Sequence, residues 1–225
     1  MQYNYKIGDN CKMNIGIYFG SFNPVHFGHV TVARRAIEDL TLDKLLVLPV
    51  DTSPFGTVAA ADLPRFPWDR LEMLRNAFVG IEKAVVDERE LRRGGASSVA
   101  GVVREIADEN SGAKLYFIIG EDSLGELRKL SDYGELAKLV EVKAYPRTKE
   151  SSGEIRRLFD EGKVVLNTEE KVVSAVKAGL VRKEGFCPCR LPKLPEFFCP
   201  CDEFKAQLAD PSYHGLCHCR LYLKP

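Results

Sequence analysis

No apolar run in this 225-residue chain approaches the roughly 20 residues that span a bilayer, which argues against a membrane-crossing helix. Net charge is also missing. The 32 basic and 32 acidic side chains cancel, so there is no general attraction to nucleic acid or to an anionic membrane, and any anion site must be local. The polar stretch Met1 to Lys12 lacks the apolar centre of a signal peptide, and the expected location is the cytoplasm. Tryptophan occurs once, at Trp68, and no internal repeat is visible. Before residue 187 the only cysteine is Cys11, read as an ordinary thiol. What remains is a chain with 45% hydrophobic residues, enough for one large domain or for a medium and a small one.

From Met13 to about Lys183, short apolar runs alternate with segments of helical period. Asn14 to Phe19, Lys44 to Val50, Ala84 to Val86, Lys114 to Gly120 and Leu139 to Ala144 read as strands. His29 to Leu40, Trp68 to Val79, Ser97 to Glu109 and Glu126 to Ala137 read as helices, with Trp68 as helix packing. Such alternation predicts right-handed crossovers onto a mostly parallel sheet buried on both faces, a doubly wound α/β domain. Ser151 to Asp160 and Glu169 to Val181 predict two further helices, the second capped by Asn167 or Thr168. Beyond Glu184 prolines multiply and periodicity fades. The expected division is a domain at 13–162 and a small one at 163–225, with the boundary between 162 and 186, the small one drawing folding free energy from a metal.

The first strand runs into Gly20-Ser21-Phe22-Asn23-Pro24-Val25-His26-Phe27-Gly28-His29, and a helix follows directly. Ligands bind beyond the carboxyl ends of strands in open α/β sheets, and a helix start offers unpaired N–H groups and the positive end of a dipole. This predicts an anion site. Gly20 permits close backbone approach and Gly28 a tight entry into the helix. His26 and His29, three apart, can point the same way, which suits phosphoryl or nucleotidyl transfer, where positioning and charge stabilisation supply most of the catalysis.

The segment resembles the His-x-Gly-His signature of the nucleotidyltransferase superfamily, with its Rossmann-like fold, and most closely the nicotinate mononucleotide adenylyltransferase branch. Similarity continues in order through Asp69-Arg70-Leu71-Glu72-Met73-Leu74, Val86-Asp87-Glu88-Arg89-Glu90-Leu91-Arg92-Arg93, Phe117-Ile118-Ile119-Gly120-Glu121-Asp122-Ser123-Leu124 and Ser151-Ser152-Gly153-Glu154-Ile155-Arg156, covering about 13 to 182. The resemblance implies transfer of AMP from ATP to a nicotinate or nicotinamide mononucleotide in NAD biosynthesis, releasing pyrophosphate. His26 and His29 would hold the ATP phosphates and stabilise the transition state. The Gly20-Ser21-Phe22 turn and Gly28 would line the nucleotide site, Ser152 and Arg156 would bind the triphosphate, and Gly120 and Asp122 would line the adenosine site. Magnesium is expected on the substrate oxygens. Three departures concern the acceptor: Ser53-Pro54-Phe55-Gly56-Thr57 replaces a loop ending in His-Lys, Ser97-Ser98-Val99 replaces Ser-Tyr-Thr, and Leu127 to Tyr133 lacks a tryptophan. They leave open which mononucleotide is adenylylated.

The last 39 residues carry three Cys-x-Cys pairs: Cys187 with Cys189, Cys199 with Cys201, Cys217 with Cys219. A tetrahedral metal centre or a cubane cluster uses four thiolates, and a leftover pair beside a redox metal suggests thiol chemistry. In a reducing compartment such clusters are metal ligands or catalytic thiols more often than disulfides. One-residue spacing disfavours the Cys-x-x-Cys knuckle of a zinc ribbon without excluding zinc. Proline within two of the pairs stiffens them so that their sulfurs diverge.

The order Cys-Pro-Cys, Cys-Pro-Cys, Cys-His-Cys resembles the catalytic chain of ferredoxin-thioredoxin reductase, with Arg190, Gly215 and Leu221-Tyr222 agreeing in the flanks. The resemblance implies a 4Fe-4S cluster on Cys187, Cys199, Cys201 and Cys217, and an active disulfide between Cys189 and Cys219. It also implies a ferredoxin-like electron donor, a thioredoxin-like or other disulfide protein as target, and His218 as proton donor or as hydrogen-bond partner of the cluster. Asn167 to Lys183 resembles a helix of both families and could serve both domains. Two alternatives stand beside this bifunctional reading: an electron-transfer protein whose front domain only binds nucleotide, and a transferase whose tail is a structural zinc or cluster staple.

Overall fold

Strand β1 (Asn14–Gly20) buries both of its faces: Ile15, Ile17 and Phe19 enter one core, Tyr18 the other. The same alternation divides Leu46 and Leu48 from Leu45 and Val47 in β2 (Lys44–Pro49), and Leu115, Phe117 and Ile119 from Tyr116 and Ile118 in β4 (Lys114–Gly120). Apolar side chains on both faces are what a covered parallel sheet requires. With β3 (Ala84–Val86) and β5 (Glu141–Tyr145) the strands lie in the order β3-β2-β1-β4-β5, every neighbouring pair parallel. The computed structural model describes residues 13–50, 54, 67–94, 97–146 and 152–225.

Helices α1 (Phe27–Asp39) and α2 (Pro67–Phe78) supply Val30, Ala33, Leu74 and Phe78 to one core. After a short α3 (Arg89–Arg93), α4 (Val99–Glu109) covers the opposite face with Val99, Val103 and Ile106. The sheet is therefore doubly wound, as the alternation predicts. Its centre tolerates no side chain at Gly16, where a Cβ would stand 2.5 Å from Leu42 Cδ1 and 2.8 Å from Ile118 Cδ1.

One expected helix divides. In place of Glu126 to Ala137 there are α5 (Glu121–Leu127) and α6 (Tyr133–Leu139). Leu127 and Leu136 both reach the core, and the break between the helices brings Asp132 to the start of α4. There its carboxylate accepts from the Ser98 hydroxyl at 2.7 Å and the Ala100 N–H at 3.0 Å, and Ser98 in turn caps α4 by accepting from Gly101 N–H at 3.0 Å. Partial burial works against the Asp132 charge, but these hydrogen bonds win and hold its carboxyl below the usual carboxylate value. A lowered folded value contributes stability that is present above the unfolded value and is lost as pH falls through the folded one. In urea unfolding, Asp132→Asn should therefore be less stable than the wild type at pH 7, the gap closing below about pH 4. A gap independent of pH would refute this role.

The rest of the chain builds a smaller body. After α7 (Ser152–Asp160), whose Leu158 packs against it, this body comprises β6 (Val165–Leu166), α8 (Glu170–Arg182), a 3-10 turn at Pro195–Phe197, α9 (Asp202–Ala209), β7 (Gly215–Leu216) and β8 (Tyr222–Lys224). These strands form an antiparallel sheet in the order β6-β8-β7. Neither Asn167 nor Thr168 is the N-cap residue of α8; Glu169 is, because the Asn167 amide bridges outward. It accepts from Glu169 N–H at 3.0 Å and donates to Arg220 O at 2.8 Å. The buried core of this body is Val164, Val176, Phe204 and Leu221 with Cys187, Cys201, Cys217 and Cys219, so half of it is thiol and its apolar content is small. Among the described residues no helix is long and apolar enough to cross a membrane.

Candidate active site and thiol core

At the carboxyl end of β1 the chain turns through Phe22, whose φ of 43° lies in the left-handed region that non-glycine residues seldom adopt. Burial holds it there. Its ring, 1% exposed, packs edge-on against Tyr18 at 5.1 Å and His29 at 5.0 Å, making it the floor beneath His29. A Cβ on Gly20 would come within 3.2 Å of this ring. The Ser21 carbonyl is held by a residue that stands in the ordered series of matching segments without a role of its own there. Arg70 of α2, 1% exposed, donates from Nη1 to Ser21 O and to Val50 O, each at 2.8 Å, and so ties the loop after β1 to the end of β2. Its signal was present: Arg70 shares the helical face of Leu74, Ala77 and Phe78, an apolar position filled by a cation.

His26 caps α1, and its backbone N–H donates to His29 Nδ1 at 3.2 Å. An accepting Nδ1 carries no hydrogen, so in the neutral His29 ring the hydrogen is on Nε2, which is the donor. The two imidazoles lie 3.8 Å apart. The first turn of α1 contains no acidic residue to neutralise the helix dipole, and Gly28 is buried within that turn. From α7, the Ser152 hydroxyl donates to Pro24 O at 2.9 Å and Arg156 Nη1 to Asn23 O, so both close on the same loop. Gly120 and Asp122 stand at the carboxyl end of the adjacent β4. Asp122 Oδ1 occupies the space a Gly120 side chain would take, 2.6 Å from its ideal Cβ. Burial, and then the Asp122 carboxylate, push the Tyr18 phenol well above its ordinary value. Between β1 and β4 the winding direction reverses, and the expected residues gather at this switch point. The acceptor loop Ser53 to Thr57, apart from Pro54, lies outside the described residues, as do Ser151 and the Trp68 side chain.

In the smaller body, Cys187, Cys201, Cys217 and Cys219 are buried, Cys199 is partly buried, and Cys189 and His218 are exposed. Burial pushes Cys199 up; the Tyr222 hydroxyl opposes this, and the charges of Cys217, Cys187 and Cys201 add to it, so these four thiols are electrostatic neighbours. Cys219 lies against Cys217, Sγ to Sγ 3.5 Å, and its hydrogen bond holds Cys217 down while Cys219 itself is pushed up. Tyr222 N–H also donates to Cys217 Sγ at 3.3 Å. The pair expected as the active disulfide is not joined here: Cys189 faces solvent beside Cys187, and Cys219 is inside. Among the described residues, no group of three or more His, Cys, Asp or Glu side chains is arranged to hold a metal ion.

The chain is similar to a probable nicotinate-nucleotide adenylyltransferase of Thermotoga maritima, 39% identical over 61% of this chain and 64% of that protein. A second relative, a probable nicotinate-nucleotide adenylyltransferase of Aliarcobacter butzleri, is 33% identical over 57% of this chain and 69% of its own. The first of these is thus matched over less than two-thirds of its length. The crystal structure of a protein named as a nicotinate-nucleotide adenylyltransferase from Vibrio parahaemolyticus shares the fold, with a TM-score of 0.54 and 23% identity over 67% of this chain and 88% of that one. The profile of cytidylyltransferase-like proteins matches residues 17–183, most of the length. The chain belongs to the cytidylyltransferase-like family and, within it, groups with the nicotinate-nucleotide adenylyltransferases.

Proposed function

We propose that residues 13–162 transfer AMP from ATP to a pyridine mononucleotide, nicotinate mononucleotide first, and that 163–225 form an attached thiol unit. The observation that carries the first part is the pair of imidazoles, ring centroids 3.8 Å apart, at the start of α1, with Ser152 and Arg156 closing from α7. The acceptor phosphate oxygen attacks the α-phosphorus, a new P–O bond forms as the bond to the β-phosphate oxygen breaks, and pyrophosphate leaves. His29 Nε2–H and the α1 amides face the triphosphate and stabilise the charge that builds on it. Arg156 and Ser152 hold the loop and, with ATP present, exchange a loop carbonyl for a phosphate oxygen. Magnesium arrives on ATP and neutralises its oxygens. Incubating the protein with ATP, magnesium and either nicotinate or nicotinamide mononucleotide should release pyrophosphate, faster with the nicotinate form. No release with either would refute the reading.

For the tail we propose a 4Fe-4S site on Cys187, Cys199, Cys201 and Cys217. The support is a donor set of soft thiols, with Cys187, Cys201 and Cys217 buried in one core and Cys199 packed against it. Such a cluster supplies one-electron transfer. Exposed Cys189 would attack a target disulfide as thiolate, and Cys219 would release the second target thiol by closing a Cys189–Cys219 bond. Two electrons from a ferredoxin-like donor and two protons would reopen that bond, and His218, which is exposed, would pass protons. Anaerobically purified protein should be brown and contain iron and acid-labile sulfide. A colourless protein with stoichiometric zinc would leave the tail as a structural staple.

A further inference from the structure

Phe186 and Phe198 each stand one residue ahead of a Cys-Pro-Cys pair, and an antiparallel bridge couples them. Cys187 N–H donates to Phe197 O at 2.7 Å and Cys199 N–H to Gly185 O at 3.0 Å, so the two arms share one rung of sheet. Successive residues in extended chain face opposite ways. Phe186 and Phe198 accordingly enter the core that contains Val30 and Ala33 of α1, while Cys187 and Cys199 turn to the core that holds the other buried thiols. The Phe198 ring lies 5.2 Å from Phe27 and 5.3 Å from Phe186. Phe27 is the first residue of α1, next to His26 and two before His29. Gly185, at φ 87°, admits this wedge, since a Cβ there would stand 2.7 Å from the Phe198 ring. This rung and the Phe198–Phe27 contact thus form one path between the thiol core and the paired imidazoles, beside the contacts that α7 makes with the loop at 23–24.

We propose that Phe198 is a positioning residue for adenylyl transfer: it wedges Phe27 so that His26 and His29 keep their geometry, and ligation of Cys187 and Cys199 sets how firmly the wedge is seated. This rests on the transferase reading of the front site and on the tail thiols as metal ligands. Ligated thiolates pin both arms of the rung, and loss of the ligand frees them. A close-packed core passes the displacement on to α1 instead of absorbing it.

The test uses full-length wild type, Phe198→Ala and Phe198→Leu, each purified anaerobically and measured before and after its metal is stripped with a chelator. One readout is pyrophosphate release, resolved into kcat and KM for ATP; the other is amide hydrogen exchange across 22–30, with 114–120 as the folding control. In the wild type, stripping should lower kcat about tenfold and speed exchange across 22–30 alone. Phe198→Ala should start low and fast, with less than about a twofold further response, and Phe198→Leu should fall between. A wild type whose turnover and exchange ignore stripping overturns the proposal, as does a folded Phe198→Ala that matches the wild type in both readouts. Absence of turnover in every state would refute the transferase reading, and exchange across 22–30 would still decide on the wedge. Absence of metal as purified would refute the cluster reading, and the proposal's link to ligation with it.

Discussion

His29→Ala lowers pyrophosphate release by about 10²–10³-fold, the loss that follows removal of one preorganised donor to a transition-state anion. The geometry makes His29 the larger contributor of the pair. Its Nδ1 is engaged by the His26 backbone N–H at 3.2 Å and its ring rests on Phe22, so Nε2 is aimed without freedom to drift. Preorganisation of that kind acts in the transition state more than in the ground state, and the fall should appear in kcat with KM for ATP changed little. His29→Gln restores an N–H donor and should recover part of the rate. The colour of the tail should not change, since the buried tail thiols belong to the other core. A His29→Ala protein with more than about a third of wild-type kcat would remove His29 from the mechanism.

Arg70→Met costs both stability and activity. The substitution keeps most of the side-chain volume but leaves the Ser21 and Val50 carbonyls without their donor, for about 2–4 kcal/mol of destabilisation. For a chain of this length that is on the order of 10 °C in melting temperature. The Ser21 carbonyl begins the loop that delivers His26, so turnover should also fall, by about 10–100-fold for a displacement near 1 Å. Arg70→Lys supplies an ammonium with three donors on a stem that lacks the fixed reach of the guanidinium, and should recover stability more than turnover. Thermal unfolding and pyrophosphate release on the same preparations check both effects. Unchanged melting with full turnover would show that the carbonyls find other partners.

The parallel sheet was legible because each strand must be apolar on both faces, a pattern that β1, β2 and β4 carry without interruption. The histidine pair was legible because the loop and the helix start are contiguous in sequence, so local chemistry defines them. Arg70 was legible as a cation on an apolar helical face, but its role was not. Its partners are backbone carbonyls at Ser21 and Val50, and a carbonyl leaves no mark in a sequence. The divided helix at 121–139 was obscured similarly, because a carboxylate from Asp132 reaches a different helix and outweighs the local helical period. Phe186 and Phe198 read as ordinary apolar residues in a proline-rich stretch, and only the pairing of distant arms shows that they face the other body.

Helix α8 belongs to the smaller body, and its surface is committed to neighbours at particular angles. Val176 enters the thiol core, and Gly179 lies so near Pro188 that a Cβ would come within 2.7 Å of it. Just past its end, Glu184 leans on Gly80, where a Cβ would stand 1.8 Å from its carboxyl carbon, and meets Arg34 at 3.7 Å. An α-helix advances about 100° per residue, so one inserted residue would swing everything after it by more than a quarter turn. The contacts at Val176, Gly179 and Glu184 fix both the rotation and the rise of this helix, so a residue inserted within it would have to break one set of contacts to keep the other.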